Sequence, residues 1–591
     1  MLKTVAILVL LLGLIALYYA ARPRRAPGVP PRLEPLQAAS LGLALLFTGL
    51  PFVLFFAAQF SFILDAGVGR ALLPLGLLGA GLVFWFLLRR DLSRKQRLAC
   101  LGVFLALFLA GLWLAGVFFD TSYDGKAYQQ EAILALLGGL NPYTQIYPPN
   151  HWVDDYPKLS WVLAAALAQW TPSLQNAKAL QSLFLAASFF GLLRLFLGQG
   201  VRRSYAVAGA ALLTFNPVVL CQYFTFYVDG PLYGLVALVL GQSVVLARAR
   251  SRAHPADATL AVLAGALAAN LKFTGLVYAG VILFLLCAFC LAYARRTYLL
   301  RSVFLGLAVL CLGLGLGASP YLKNLLRGYH VFHPLMGAHK SQSIITAFKP
   351  KYMAGKDPIT NLLVSNFSRT KIVERTETAT LKNPFDFPGR VEEFAMLTVP
   401  DPRVAGFGPY MGAVIVFTGL LGGVVLARRR LLARGKAKYV LLLAAGVLGS
   451  TLVNPEAWWA RYAPQFWMLW SPLLLWLRPR RSGSGRLAAA LALAIVLTCA
   501  ATSILTARFV WEKQSLLAFT IRDGFKLARS FKNPTIWLPA HRFALSTERL
   551  LRENGFQDLP YSELPPEDTG YLQFFYWDHG FLLFDRIEEA P

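Results

Sequence analysis

Runs of about 20 apolar residues recur along almost the whole chain, and nothing else in the sequence constrains the fold as strongly. Each is long enough to cross a hydrocarbon core of about 30 Å as a helix. Only helices or closed barrels satisfy their backbone groups in such a medium. Of the 591 residues, 57% are hydrophobic and 15% charged, against about 25% charged in a soluble domain. A soluble enzyme, a disordered chain and a nucleic-acid-binding domain are excluded, in spite of the net charge of +27. The reading is an all-α polytopic membrane protein.

Spans are predicted at 4–21, 38–61, 71–88, 99–119, 176–197, 204–224, 230–247, 257–271, 274–294, 301–321, 406–427, 439–455, 463–477 and 487–507, about fourteen in all. The segments between them alternate in kind. One set is short and basic: Arg22, Arg24 and Arg25; Arg89 and Arg90; Arg202 and Arg203; Arg248, Arg250 and Arg252; Arg295 and Arg296; Arg428, Arg429 and Arg430; Arg478, Arg480 and Arg481. These are cytoplasmic by the positive-inside rule, which accounts for much of the net charge. The other set holds the loop 120–175, Lys272, the long segment 322–405, the stretch 454–462 and the tail after 507. Any chemistry is therefore expected on the outward face. No GxxxxGK[ST] phosphate loop occurs, so a donor there has to arrive through the membrane, already activated on a lipid.

The outward segments carry the ionisable residues that apolar spans tolerate least. Asp120 and Asp124 follow the fourth span, and Tyr128–Leu137 reads as a short amphipathic surface helix stopped by Gly138-Gly139. A second short apolar helix follows Tyr156-Pro157-Lys158. Asp229, Lys272 and Arg461 each stand at the outer end of a span. One such residue can be a solvated helix end; an acid-and-base set on one face is a candidate site. A carboxylate near a low-dielectric surface suits a general base. The guanidinium of Arg461 suits a phosphate, and Trp458 and Trp459 suit a sugar face or an interfacial belt. The cysteine pair Cys287 and Cys290 sits mid-span with no second pair, and His330, His333 and His339 lack ligand spacing, so neither is read as a metal site.

These residues carry a resemblance. A span ending in Asp120, then Asp124-Gly125-Lys126-Ala127-Tyr128, a surface helix, Gly139-Leu140-Asn141-Pro142-Tyr143 and the helix start Tyr156-Pro157-Lys158-Leu159 resemble the first extracytoplasmic loop of GT-C superfamily glycosyltransferases. That group includes protein O-mannosyltransferases and the lipid A aminoarabinose transferase. Phe226–Asp229 and Trp458–Tyr462 are similar to stretches of bacterial surface-polysaccharide enzymes of this type. The resemblance implies a GT-C-like fold and an inverting transfer of a sugar from a polyprenyl-phosphate donor to an acceptor hydroxyl on a glycolipid, a glycan or a protein. It implies Asp120 or Asp124 as the base, Asp120 being favoured as the nearer to the membrane. Arg461, Lys272 and Lys158 are implied at the donor phosphate, and Asp229, Tyr128, Tyr156 and Trp459 at the substrate. No cofactor is called for; Asp120, Asp124 and Asp229 could bind a divalent metal, which a monophosphate-sugar donor does not demand, and the setting is the bacterial plasma membrane with its lipids. The chain divides into N-terminal transmembrane helices (1–98), a GT-C-like catalytic module (99–507) and a small extracytoplasmic domain (508–591), whose Lys532–Pro539 reads as a strand and Thr547–Gly555 as a helix. A polysaccharide polymerase or ligase, and a lipid-linked sugar transporter or flippase, remain the alternatives. The second would place charges near the bilayer midplane and repeat its halves.

Overall fold

A computed structural model describes the chain except for residues 22–31, 250–252, 294–295, 339–347, 373–376, 429–430, 433–434, 479–481, 533, 538–542, 558, 563–570, 575–580 and 586–591. Arg22, Arg24, Arg25, Arg250, Arg252, Arg295, Arg429, Arg430, Arg480, Arg481 and His339 thus lie outside the described residues, as do Asn533, Leu538 and Pro539 of the expected strand.

Among the described residues, eight helices are long and apolar enough to cross a membrane: Leu2–Ala21, Pro35–Ile63, Arg94–Val117, Leu174–Gly198, Asp229–Ala249, Phe273–Tyr293, Tyr298–Leu316 and Gly483–Ala528. Five shorter apolar helices accompany them, Leu72–Leu87, Leu159–Ala168, Pro255–Leu271, Met411–Ala427 and Ala437–Leu452. The chain is an integral membrane protein built on a helical bundle, and twelve of the fourteen expected spans each coincide with one of these helices among the described residues.

Two expected spans are not single helices. The stretch 204–224 breaks into Arg203–Thr214 and Pro217–Gln222. Pro217 pushes the residue before it out of the α region, and the Asn216 side chain accepts from the Val219 amide to start the second piece. The stretch 463–477 is a 3-10 segment, Pro464–Trp470, and one short turn, Ser471–Leu474. Pro464 and Pro472 start both pieces, and this non-α backbone is buried in protein rather than facing lipid. There Gln465 donates to the Ser450 carbonyl at 2.9 Å and Trp467 to the Leu212 carbonyl at 2.9 Å.

The helices that do form carry legible start signals. Ser93 and Gln96 make a reciprocal capping box ahead of Arg94–Val117. His254 caps Pro255–Leu271 through the Ala256 amide while its other ring nitrogen meets Asp91 at 3.1 Å. Leu2–Ala21 packs along Arg296–Leu316 so closely that a Cβ on Gly13 would stand 2.7 Å from Leu312 Cγ. At the centre, nearly every residue of Asp229–Ala249 and Pro255–Leu271 is buried. The basic loops meet at one end of the bundle. There Asp91 accepts from the Leu33 amide, and Gln199 accepts from both Arg248 and Trp476.

The last long helix, Gly483–Ala528, runs straight through position 508, where the membrane pattern ends in the sequence. At about 1.5 Å per residue its 46 residues exceed what a bilayer core of about 30 Å needs. Beyond it stand the helix Ala544–Glu553 and a four-stranded sheet of β1 (Pro534–Trp537), β2 (Tyr561–Ser562), β3 (Tyr571–Phe574) and β4 (Phe581–Asp585), in the order β2-β1-β4-β3. β1 pairs parallel with β2 and antiparallel with β4, and β3 pairs antiparallel with β4.

Glu553 ties this module to the bundle. It accepts from Ser173 Oγ at 2.6 Å and from the Leu174 amide at 2.8 Å, so a side chain 379 residues distant serves the orphan amide at a helix start. Glu553→Ala is expected to cost about 1 kcal/mol and to raise the rate of limited proteolysis after residue 528 while the bundle stays intact. Unchanged proteolysis would show that the contact does not hold the module.

Candidate active site: an arginine among three aspartates

At the end of the bundle opposite the basic loops, five chain segments bring charged side chains together. Asp124 follows the Arg94–Val117 helix and leads into the π-helical turn Gly125–Gln129. Asp229 opens the helix Asp229–Ala249, where amide dipoles favour a negative charge. Lys272 is the single extended residue between Pro255–Leu271 and Phe273–Tyr293. Asp401 lies in Pro400-Asp401-Pro402-Arg403, and Arg461 in the 3-10 turn Ala460–Tyr462.

Arg461 is the hub. Its Nη2 lies 3.1 Å from Asp124 Oδ2, its Nη1 3.2 Å from Asp401 Oδ2, and its Nε 3.4 Å from Asp229 Oδ2. Lys272 Nζ meets the other oxygen of Asp229 at 2.5 Å, and Gln222 Nε2 adds a bond at 3.1 Å. Arg403 Nε stands 3.9 Å from Asp401. Three cations thus face three carboxylates, the balance that buried charges require. Aromatic rings wall the centre: Tyr227, Trp459 and Tyr462 lie 5.0–5.4 Å from the Arg461 guanidinium, and Lys272 lies 4.3 Å from the Tyr462 ring.

The three carboxylates differ in what remains free. Asp229 is 1% exposed and both its oxygens are engaged. Asp401 accepts from Trp459 Nε1 at 2.8 Å on one oxygen and meets Arg461 with the other. Burial, opposed by Arg461, pushes its carboxyl up to about 6. Asp124 is 20% exposed and engages Arg461 through Oδ2 alone, which leaves Oδ1 open among the described residues. On the guanidinium, Nη2 donates to Asp124, while Nε, 3.4 Å from Asp229, is buried without a hydrogen-bond partner among the described residues, so donor capacity is left for another anion.

The sequence candidates separate accordingly. Asp124, Asp229, Lys272, Arg461 and Trp459 share the centre. Tyr156 and Tyr128 stand beside it, with ring centroids 6.4 Å apart, and Tyr156 also packs on Phe273, the residue after Lys272. Asp120 does not join them. It is 4% exposed, takes the Ser122 amide at 2.9 Å and hydroxyl at 2.5 Å on Oδ1, and takes the Phe226 amide at 2.8 Å on Oδ2. It pins the first long loop to the segment that carries Asp229. A Cβ at Gly125 would collide with its Oδ2, which explains the glycine there.

Lys158 also lies elsewhere. Its Nζ donates to the backbone carbonyls of Asp154 at 2.8 Å and Tyr156 at 2.5 Å. It belongs to a second charged group in which Asp154 holds Lys323 at 2.8 Å and Arg327 at 3.1 Å, and Asp155 faces His333 at 3.5 Å. Burial, opposed by Asp154, pulls the Lys158 ammonium down to about 7.

Asp401, Arg403, Gln222 and Tyr227 were not among the sequence candidates. A signal for the first two existed: Asp-x-Arg held between and beside prolines, directly ahead of an apolar span. Among the described residues no group of three or more His, Cys, Asp and Glu side chains is arranged to hold a metal ion.

No protein-family model matches the sequence, and no curated protein matches it. The fold is similar to the crystal structure of ArnT from Cupriavidus metallidurans bound to undecaprenyl phosphate, at 12% identity over 81% of this chain and 97% of that chain, with a TM-score of 0.34. A likeness of that degree leaves the chemistry to be argued from the site itself.

Proposed function

We propose that this chain is a membrane glycosyltransferase that moves a sugar from a polyprenyl-phosphate donor to an acceptor hydroxyl, with inversion, at the outward face of the bacterial plasma membrane. The observation that carries the reading is one arginine fixed among three aspartates, of which one, Asp124, keeps an oxygen open among the described residues beside a guanidinium with donor capacity to spare. Asp124 takes the proton of the acceptor hydroxyl as that oxygen bonds to the anomeric carbon. The bond from that carbon to the phosphate oxygen breaks, and its electron pair leaves with the prenyl phosphate. Arg461 meets the growing charge through its free N–H groups, with Lys272 behind it. Trp459, Tyr128 and Tyr156 supply the sugar-facing rings. Asp120 positions the loop rather than reacting. The acceptor class is a glycolipid, a growing glycan or a protein hydroxyl, and bulk membrane lipids are the surrounding partner.

Purified protein in nanodiscs with radiolabelled polyprenyl-phosphate sugars tests this. Transfer of label to an acceptor, or its slow release to water, supports the reading. Movement of intact donor across a liposome membrane without cleavage would replace it with a flippase.

Asp401 makes donor binding pH-dependent. Its carboxyl, held near 6, takes up a proton as the pH falls from 7.5 to 5, and Arg461 then faces two charged carboxylates rather than three. The donor is a phosphodiester whose own charge is constant over that window. Donor affinity is expected to rise about fivefold with that fall in pH, on the order of 1 kcal/mol at a partly screened site. Asp401→Asn should bind tightly at both ends of the range. A wild-type affinity that is flat or falls with acidification would refute this.

A further inference from the structure

A groove of about 390 Å³ opens on the flank of the bundle between the Val117 end of the Arg94–Val117 helix and the later turns of Gly483–Ala528. Its wall is apolar and uncovered: Trp113, Trp511 and Phe519 are 70%, 51% and 67% exposed. Its rim is charged, with Arg522, Asp523 and Lys526 within about one turn of the long helix. Arg522 donates to the Val117 carbonyl, and no carboxylate neutralises it or Lys526 among the described residues. These two cations stand at the Val117 end, with Asp124, so the positive-inside rule does not account for them. Behind the wall the Phe118 ring packs at a tilt on Phe224, with centroids 4.1 Å apart, and neither Arg461, Lys272 nor Asp124 lines the groove. A molecule seated there is not at the proposed reaction centre.

We propose that this groove binds an anionic glycerophospholipid with a hydroxylated headgroup. Its phosphate lies against Arg522 and Lys526, and its acyl chain against Trp113, Trp511 and Phe519. Asp523 accepts from the headgroup hydroxyls, which a bare phosphate lacks. Two unneutralised cations above exposed aromatic side chains complement an anionic amphiphile on both counts. Because Arg522 also holds the last carbonyl of the helix that leads into the Asp120–Asp124 loop, the bound lipid steadies that loop from outside the reaction centre.

The full chain in phosphatidylcholine nanodiscs is the test, with a minor fraction of dibrominated phosphatidylglycerol or dibrominated phosphatidylcholine as quencher of tryptophan emission. Binding is read without turnover, so its failure leaves the transferase reading standing. The wild type is expected to prefer the brominated phosphatidylglycerol by at least about tenfold, roughly fivefold per basic residue compounded and then discounted for Asp523. Arg522→Gln with Lys526→Gln should erase the preference. Lys526→Glu, which leaves the Arg522–Val117 bond intact, should erase most of it without touching the fold. Trp113→Phe with Trp511→Phe should remove the excess quenching. Equal quenching by the two lipids in the wild type would overturn the proposal, as would a preference that survives both charge variants. So would displacement of the brominated lipid by polyprenyl phosphate, which would assign the groove to the donor.

Discussion

Arg461→Ala is expected to abolish transfer and to destabilise the protein by about 3–5 kcal/mol, because three carboxylates would lose their shared counter-charge. The side chain is only 12% exposed, so solvent does little to soften the loss. Arg461→Lys separates the two effects. A lysine restores the charge but not the fork, and an ammonium at the end of a flexible stem cannot face Asp124, Asp229 and Asp401 in three fixed directions. Stability is expected to recover in large part, while the rate of transfer stays about 10²–10³-fold down, the usual loss when a fixed donor to a developing anion is removed. Thermal unfolding and kcat measured on the same preparations check this. A lysine variant as active as the wild type would mean that the fork does not meet the phosphate.

Asp124→Asn and Asp120→Asn are expected to fail in different ways. Asparagine at 124 keeps the shape and one contact to Arg461 but cannot accept a proton, so transfer should fall by about 10²–10⁴-fold with donor binding retained. Asparagine at 120 places an amide where two backbone amides and a hydroxyl now donate. At least one buried donor then meets another donor, a cost of about 1–3 kcal/mol. That variant should lose stability, with its remaining folded fraction turning over at close to the normal rate. Retained turnover in Asp124→Asn together with loss in a stably folded Asp120→Asn would reverse the two roles and return the base to Asp120.

The positions of Asp124, Asp229, Lys272 and Arg461 were legible because an ionisable side chain beside an apolar span is costly and therefore conspicuous. Charge asymmetry then placed all four on the same side of the bundle. The gathering of Asp229, Lys272 and Arg461 follows directly, since each sits where a helix begins, breaks or turns at that end. Apolar length alone could not separate an α-helical span from 204–224 or 463–477. Prolines at 217, 464 and 472 break the regular helix there, and a buried protein environment supplies the hydrogen bonds that lipid would not.

By itself, then, the sequence determined a membrane-embedded helical chain, its basic end, and most of the charges gathered at the opposite one. The division of labour among those charges was a tertiary matter. Whether an aspartate is a base or a brace depends on which of its lone pairs are occupied, and the amide that occupies Asp120 comes from Phe226, 106 residues away. Asp401 and Arg403 entered the centre because the long segment before Met411–Ala427 folds back over it, and Lys158 left it because its ammonium is spent on two nearby carbonyls. Spacing along a chain fixes which residues stand at a boundary. Only the folded packing fixes which donors and acceptors they meet there, because those partners come from segments that are distant in sequence and converge only at the top of the bundle.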